Sequence, residues 1–287
     1  MRTEAINGVV RFLSEHLTFI VLVIATAFVT SCILLVLNQK DAEDLFRLAQ
    51  EQIGTNQPRA AADTLRAIER EYPHWKRMAE VYYLQGNILY FHENNLYGAM
   101  DFWQRALAAD PASPHDFEIH RRLAEIHLNV IGDLSRAEAE LKYLIARHPG
   151  HADIPLLRLE LARCYVKTER PEVAIIELKN LIGTVTDRHT RQQAVIQLAM
   201  IYYNQKNYQR AREFLEPVTR EPHCDDCRYL ALMVMSDILE IQEDYDKAIE
   251  ILGQIPDNIL SEEKKQARIS SIKKQFVPSA PSGGGTR

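Results

Sequence analysis

The chain has 287 residues, of which 46% are hydrophobic and 25% charged, a composition typical of a globular protein. Its formal net charge is −5 at pH 7, and no dense block of Lys and Arg occurs, so we expect no nucleic-acid partner. Only 11 glycines are present, and the abundance of Ala, Leu, Glu, Arg and Gln favours helices throughout. The sequence therefore predicts an all-α protein.

The first predicted element is the apolar stretch at 17–37. Its sequence, LTFIVLVIATAFVTSCILLVL, has 21 residues without a charge, and at about 1.5 Å rise per residue it is long enough to cross a hydrocarbon core of about 30 Å. The apolar part of a cleaved signal peptide is shorter, about 7 to 15 residues. A lipoprotein signal before Cys32 is a further alternative, but apolar residues follow that cysteine. We predict a single transmembrane helix.

Charges beside this stretch indicate its orientation. Arg2 and Arg11 precede it, whereas Lys40 follows it among acidic residues. The positive-inside rule then places residues 1–16 in the cytosol as a short segment and the rest of the chain on the other side. We expect a single-pass protein of the bacterial inner (cytoplasmic) membrane with its main body in the periplasm.

A pattern that repeats six times follows the apolar stretch. Around Ala99 it reads Ala, a large residue four positions later (Trp103), a further apolar residue at +7 (Ala106) and a proline at +12 (Pro111). The equivalent alanines are 37 or 38 residues apart: Ala61, Ala99, Ala137, Ala174, Ala211 and Ala248. In most units a large apolar residue and a small one precede the alanine by 12 or 13 residues. Each unit is therefore predicted to be a helical hairpin.

This pattern resembles the tetratricopeptide repeat (TPR) family over about six units between Ala42 and Pro256. The period is longer than the usual 34 or so residues of the family, as in its bacterial envelope members, and the proline is lost or displaced in the last three units. The resemblance implies a right-handed superhelical solenoid at 38–256, in which each hairpin covers its neighbour. We predict a capping helix at 257–277 and a flexible tail at 278–287.

The resemblance also implies that the first helices of the hairpins line a concave groove that binds proteins or peptides. Aromatic rings there would supply contact area and amides would hold a peptide backbone, although some of the rings are expected to pack between helices instead. The resemblance also places Phe46 and Met200 in the groove. The main groove positions are Tyr83, Asn87, Tyr90, Arg121, Glu125, Asn129, Arg163, Lys167, Tyr203 and Asn204.

One cysteine motif, HCDDC at 223–227, bears on chemistry. Cys224 and Cys227 at a helix start are within disulfide reach, and an oxidising compartment would allow the bond to form. With His223 they would supply three zinc ligands, whereas a structural zinc site needs four. A redox motif normally follows a strand, and none is predicted. We favour a disulfide or free thiols over a metal site, and a metal site over catalysis.

Motifs for enzymes are absent from the sequence: we find no Gly-rich phosphate loop, no Gly-x-Ser-x-Gly and no His-Glu-x-x-His. We expect no enzyme and no cofactor. The first functional hypothesis is a membrane-anchored scaffold or adaptor that gathers partner proteins into a cell-envelope assembly. The second is a chaperone-like helper of translocation or envelope assembly that holds client segments. A redox or metal-binding protein built on Cys224 and Cys227 is the third, and self-association stays open.

Overall fold

The computed structural model describes residues 2–276, with side chains described at 19, 21–30 and 39–274. The all-α prediction is confirmed, because the described residues form helices and connecting turns without a strand. They divide into two compact units, with the boundary between Ile119 and His120; we call them unit 1 and unit 2. The predicted tail at 278–287 lies outside the described residues.

The helices are short after the first one, and most have 14 residues or close to it. A π-helical turn, His127–Ile131, directly continues the fifth helix. In chain order the helices are α1 Arg2–Gly54, α2 Pro58–Glu71, α3 Met78–Phe91, α4 Leu96–Ala109, α5 Asp116–Ile126, α6 Leu134–Arg147, α7 Ile154–Lys167, α8 Pro171–Thr184, α9 Arg188–Asn204, α10 Tyr208–Arg220, α11 Asp225–Ile241, α12 Tyr245–Gly253 and α13 Glu262–Phe276.

Helix α1 is continuous over 53 residues, whereas the sequence analysis divided this region into a leading segment, a span and the first helix of a hairpin. No proline and no cluster of turn residues follows 17–37, so the helix continues to Gly54. Within the part of the chain that the structure describes, no helix includes a segment both long and apolar enough to traverse a membrane. Within the predicted span at 17–37, side chains are described only at 19 and 21–30, and the large apolar ones among them, such as Phe19 and Phe28, are exposed.

Apart from α13, the described helices pair as antiparallel hairpins. In unit 1, α1 packs on α2 and α3 packs on α4. In unit 2 the π-helical turn packs on α6, and the pairs α7 with α8, α9 with α10 and α11 with α12 follow. Helix α13 packs on α12 and buries Ile272.

The repeated alanine marks the buried face of each second helix. All six of these alanines have no exposed surface, and the residues four and seven positions later are at most 3% exposed. Positions i, i+4 and i+7 lie on one face of an α-helix. Each second helix therefore presents the same face to its neighbours, which explains why the pattern recurs along the chain.

A close approach of two helices in unit 1 requires a glycine. A Cβ atom at Gly86 on α3 would lie 2.5 Å from Cδ1 and Nε1 of Trp103 on α4, closer than any van der Waals contact allows. The indole of Trp103 is fully buried. The small residue of the pattern thus makes room for the large one on the partner helix.

The turns inside the six hairpins share a backbone conformation. Each contains one residue with positive φ, a conformation that reverses the chain after a helix. In four of the turns the next amide donates a hydrogen bond to a carbonyl five residues earlier, as from Arg170 N–H to Tyr165 C=O at 2.8 Å. The positive-φ residues are Asn56, Asn94, Gly132, Glu169, Lys206 and Glu243.

A cluster of charged and aromatic side chains links the third and fourth hairpins within unit 2. Glu138 on α6 accepts hydrogen bonds from Arg170, which precedes α8, and forms an ion pair with Lys142 at 2.6 Å. The Arg170 guanidinium lies 4.9 Å from the centre of the Tyr165 ring. The hydrogen bond from Arg170 holds the pKa of the Glu138 carboxyl below its usual value, with Lys142 adding to the effect.

This pairing predicts a pH-dependent contribution to stability. A carboxyl whose pKa is lowered by folding stabilises the protein above its usual pKa of 4.5, and the contribution is lost as the pH falls through the lowered value. We expect Glu138→Gln to reduce the free energy of unfolding by about 1 kcal/mol at neutral pH, and the difference from the wild-type protein to shrink as the pH falls below 4.5 and through the lowered pKa. Urea unfolding over a series of pH values from neutral into acid measures this decrease.

Glu216→Gln is the matched control, because the Glu216–Arg220 pair is largely exposed to solvent and such pairs contribute little. A difference for Glu138→Gln that persists unchanged in acid would contradict this explanation.

Candidate functional site

Unit 2 contains a groove of about 590 Å³. Its walls come from α5 with the π-helical turn, from α7, α9 and α11, and from the residues that begin these helices. These are the first helices of successive hairpins, and only Leu141 comes from a second helix. The TPR resemblance implied a groove lined in this way. We call this cavity the unit 2 groove.

The local sequence determines which side chains reach the groove. In the first helices of unit 2 the large and small residues of the pattern are buried, as Leu161 and Ala162 are on α7. The next residue then lies about 100° around the helix and points away from that buried face. In this position the unit 2 groove contains Glu125, Arg163 and Met200.

Exposed apolar side chains give the groove a surface for another molecule. Leu156 on α7, Met200 on α9 and Leu230 on α11 line it, and they are 46%, 43% and 44% exposed. Large apolar side chains that several elements bring together at a concave surface are typical of binding sites. The groove can therefore receive apolar side chains of a partner.

The charges in the groove are predominantly negative. Arg121 lies 3.8 Å from Asp153, and Arg163 donates a hydrogen bond to Glu160 at 2.9 Å, so both basic groups have an acidic neighbour. The lining contains four carboxylates and two guanidinium groups, so its net charge is negative. The charged Arg, Asp and Glu residues of the lining are Arg121, Arg163, Glu125, Asp153, Glu160 and Asp226.

The cysteine motif lies in the wall of the same groove. Cys224 and Cys227 form a disulfide with a Cα–Cα distance of 5.3 Å, and both line the groove. The histidine beside them is His189 on α9, whose Nδ1 is 3.8 Å from the Cys227 Sγ. The sequence analysis considered His223, which is exposed and does not line the groove. It missed His189 because that residue is 35 positions before Cys224 in the sequence.

The predicted groove residues of unit 1 make packing contacts. Tyr83 stacks on His115, with 3.8 Å between the ring centres, and burial lowers the pKa of the His115 imidazole. Tyr90 packs 5.4 Å from Trp103. Phe46 is buried against Trp75, so its proposed position in a groove is wrong: the ring fills the core of the first hairpin.

Asn87 has a partner inside the fold. Its Oδ1 accepts a hydrogen bond of 3.1 Å from Nε1 of the buried Trp103. The repeat pattern placed both Asn87 and Asn129 among the main groove positions. Asn129 is exposed in the unit 2 groove, whereas Asn87 is engaged inside the fold.

The other predicted residues of unit 2 divide into two groups. Arg121, Glu125, Asn129 and Arg163 line the groove, whereas Lys167, Tyr203 and Asn204 do not. Lys167 and Asn204 are exposed near the ends of their helices. Tyr203 packs edge-on against Tyr208, and burial, with a contribution from Asp237, raises the pKa of its phenol. The repeat pattern did not predict Leu156 and Leu230 as groove residues, because they do not occupy the positions that the resemblance places in the groove.

Comparisons with known proteins support the TPR family. The family model described as tetratricopeptide repeat matches residues 46–114, and the model described as anaphase-promoting complex, cyclosome, subunit 3 matches residues 184–255. No curated protein matches the chain.

Solved structures with a similar fold include PilW, a widely conserved type IV pilus biogenesis factor (TM-score 0.51, 16% identity, 79% of this chain and 98% of that one). Pseudomonas aeruginosa pilF is similar at a TM-score of 0.51 and 13% identity, over 81% of this chain and 98% of that one. A tetratricopeptide repeat protein from Parabacteroides merdae is similar at 0.51 and 12%, over 82% and 99%. At these identities the likeness indicates the fold.

The hydrogen bond between Asn87 and Trp103 predicts that Asn87 contributes mainly to stability. We expect Asn87→Ala to reduce the free energy of unfolding by about 1 to 2 kcal/mol, because the buried indole N–H loses its acceptor. Asn129→Ala, the matched control, removes an exposed amide and is expected to change stability by less than about 0.5 kcal/mol. Thermal or urea unfolding of the two variants measures the difference, and equal effects would contradict this assignment.

Proposed function

We propose that this chain of tetratricopeptide repeats is a membrane-anchored scaffold that binds a partner protein or peptide in the unit 2 groove, as part of a cell-envelope assembly. The observation that carries the proposal is the groove itself: first helices of successive hairpins bring Leu156, Met200 and Leu230 together as exposed apolar side chains. Surfaces of this kind are uncommon unless another molecule covers them.

Charge complementarity specifies the chemistry of the partner. The groove combines the three exposed apolar side chains with a net acidic lining, in which Arg121 and Arg163 already have acidic neighbours. An occupant with apolar residues flanked by Lys or Arg would bury the apolar groups and face Glu125 and Asp226 with its charges. We therefore propose a basic and apolar segment as the occupant.

The membrane anchor rests on the run of 21 uncharged residues at 17–37. The described large apolar side chains of this run are exposed, among them Leu22, Ile24 and Phe28. In water such a surface would be unfavourable, at about 25 cal/mol per Å², whereas a lipid bilayer is a suitable environment for it. The charges beside the run favour a cytosolic N-terminus and a periplasmic repeat body.

An envelope assembly is the setting in which we would first look for the partner. PilW, whose fold the chain shares, is a type IV pilus biogenesis factor, which makes pilus-type machines the first candidates. The alternative function, a helper that holds many client segments, would use the same anchor and groove. It differs from a scaffold in the number of partners, because a scaffold binds a few fixed proteins and a helper binds many.

The groove is tested by crosslinking and copurification of the full chain from a bacterial membrane. The combined variant Asn129→Ala, Arg163→Ala and Met200→Ala removes three side chains that line the groove. We expect it to weaken binding of the main partner at least about tenfold, a loss of about 1.4 kcal/mol, while helix content and the unfolding midpoint are kept.

The matched control replaces Ile176, Asn180 and Arg220 by alanine, because these residues are exposed outside the groove. Retention of the partner by the groove variant would contradict the proposal. Capture of many unfolded chains, with no fixed partner, would favour the client-holding helper.

The anchor is tested by replacing Val23 and Phe28, both exposed on α1, with lysine. Each charge at the centre of a span costs about 2.5 to 3.5 kcal/mol on insertion scales, so we expect the wild-type chain to stay in the membrane pellet after an alkaline wash and the double variant to be released. Leu48→Lys is the control, because Leu48 is exposed on the same helix outside the run. Release of the wild-type chain by the same wash would contradict the anchor.

A further inference from the structure

We infer that His189, Cys224 and Cys227 form a binding site for a thiophilic transition-metal ion, of which Zn²⁺ is the representative, when the two cysteines are reduced. This inference goes beyond the proposed function and does not depend on it. The site lies in the wall of the unit 2 groove, on the starts of α9 and α11.

The three possible ligand atoms are close enough together for one ion once reduction lets the two bonded sulfur atoms move apart. The His189 Nδ1 and the Sγ atoms of Cys224 and Cys227 all lie within 4.8 Å of one another. With bonds of about 2.3 Å to sulfur and about 2.0 Å to nitrogen, tetrahedral zinc places neighbouring ligands about 3.5 to 3.8 Å apart. The distance between His189 Nδ1 and Cys227 Sγ is 3.8 Å, so little movement is required of that pair.

The two cysteines have the spacing and the backbone setting of metal ligands. Cys-x-x-Cys is a common zinc-ligand spacing. Cys224 is the N-cap of α11, and its sulfur accepts a hydrogen bond of 2.9 Å from the Cys227 backbone N–H. In the reduced protein this donor and the positive end of the helix dipole stabilise the Cys224 thiolate, the form that binds metal.

The histidine is oriented by a neighbour on its own helix. The side-chain amide of Gln193 lies 3.0 Å from the Nε2 of His189. The oxygen and nitrogen of such an amide are assigned from the hydrogen-bond network, and in the flipped orientation the amide oxygen accepts a hydrogen bond from the Nε2–H. Nδ1 then carries the lone pair and faces the two sulfur atoms. A partner on the second ring nitrogen is typical of metal-binding histidines.

The partial exposure of the three side chains leaves one coordination position of the ion accessible from the groove. Cys227 is buried, Cys224 is half-buried and His189 is exposed, so the cluster opens into the groove. The side chains described there supply three ligands, which is the number that leaves an exchangeable fourth position on zinc. A water molecule, or a group of a segment bound in the groove, can occupy it.

Metal binding and the disulfide exclude each other, because the same two sulfur atoms take part in both. A phosphine reductant and one water molecule convert the disulfide to two thiols and a phosphine oxide. The divalent ion then displaces one proton from each thiol and binds two thiolates and the neutral imidazole, with release of two protons. Reoxidation by a disulfide compound takes up two protons from water, returns the protein disulfide, yields two thiols from that compound and expels the ion.

The experiment uses the full chain in detergent, reduced with a phosphine under inert gas and titrated with Co²⁺, a spectroscopic substitute for Zn²⁺. We expect one ion per chain, an intense thiolate-to-cobalt charge-transfer band, visible bands of tetrahedral strength, displacement by Zn²⁺ and a proton release that reaches two at a pH where both cysteines are thiols. The disulfide form is expected to show none of these. Absence of the charge-transfer band in the reduced protein, or equal binding by the disulfide form, would overturn the inference.

Two histidine variants identify the third ligand. His189→Ala is expected to weaken Co²⁺ binding at least about tenfold, whereas His223→Ala, which removes the histidine next to Cys224 in sequence, is expected to leave it unchanged. Both residues are exposed, so the circular dichroism spectrum should not change. Weaker binding in His223→Ala with normal binding in His189→Ala would overturn this ligand set, and the wild-type spectra and proton release test the site even if a variant fails to fold.

Discussion

The structure depends on one contact, the burial of the repeated alanine face of each second helix. The six alanines and the apolar residues that follow them at +4 and +7 are almost completely inaccessible to solvent. Alanine lets the backbones approach, and residues such as Trp103 then fill the space left by small residues such as Gly86. Because one hairpin buries only part of its apolar surface, its neighbours must cover the rest, and stability spreads along the chain as a sum of adjacent contacts.

The same contact creates the groove. When a large and a small residue of a first helix face its partner, the next residue points away from the contact, and in unit 2 this direction leads into the cavity lined by Glu125, Arg163 and Met200. The residues that line the groove are thus carried by helices, with a spacing imposed by packing. The cysteine pair is placed in the same way, since α11 holds it against α9.

Helix pairing was predictable from the sequence because a period of 37 or 38 residues with a fixed internal pattern has few other physical explanations. The groove was only partly predictable. Arg121 and Asn129 follow from the repeat pattern, but the pattern does not reveal that Asn87 is bound to Trp103. His189 could not be associated with Cys224, because their proximity arises from packing between helices. Left-handed turn residues such as Glu169 and Lys206 were also hidden, since neither residue type favours that conformation.

Helix α1 is continuous from Arg2 to Gly54, so the angle between side chains far apart along it is fixed by helix geometry. Phe28 and Phe46 are 18 residues apart, which corresponds to about five full turns, so their side chains leave the helix axis in nearly the same direction about 27 Å apart. The rotational orientation of the first hairpin is therefore coupled to that of the apolar half of α1. One residue inserted between Phe28 and Phe46 would rotate the first hairpin by about 100° about the helix axis. The number of residues between the two halves of α1 therefore determines the rotation of the hairpin as well as its distance from the apolar half.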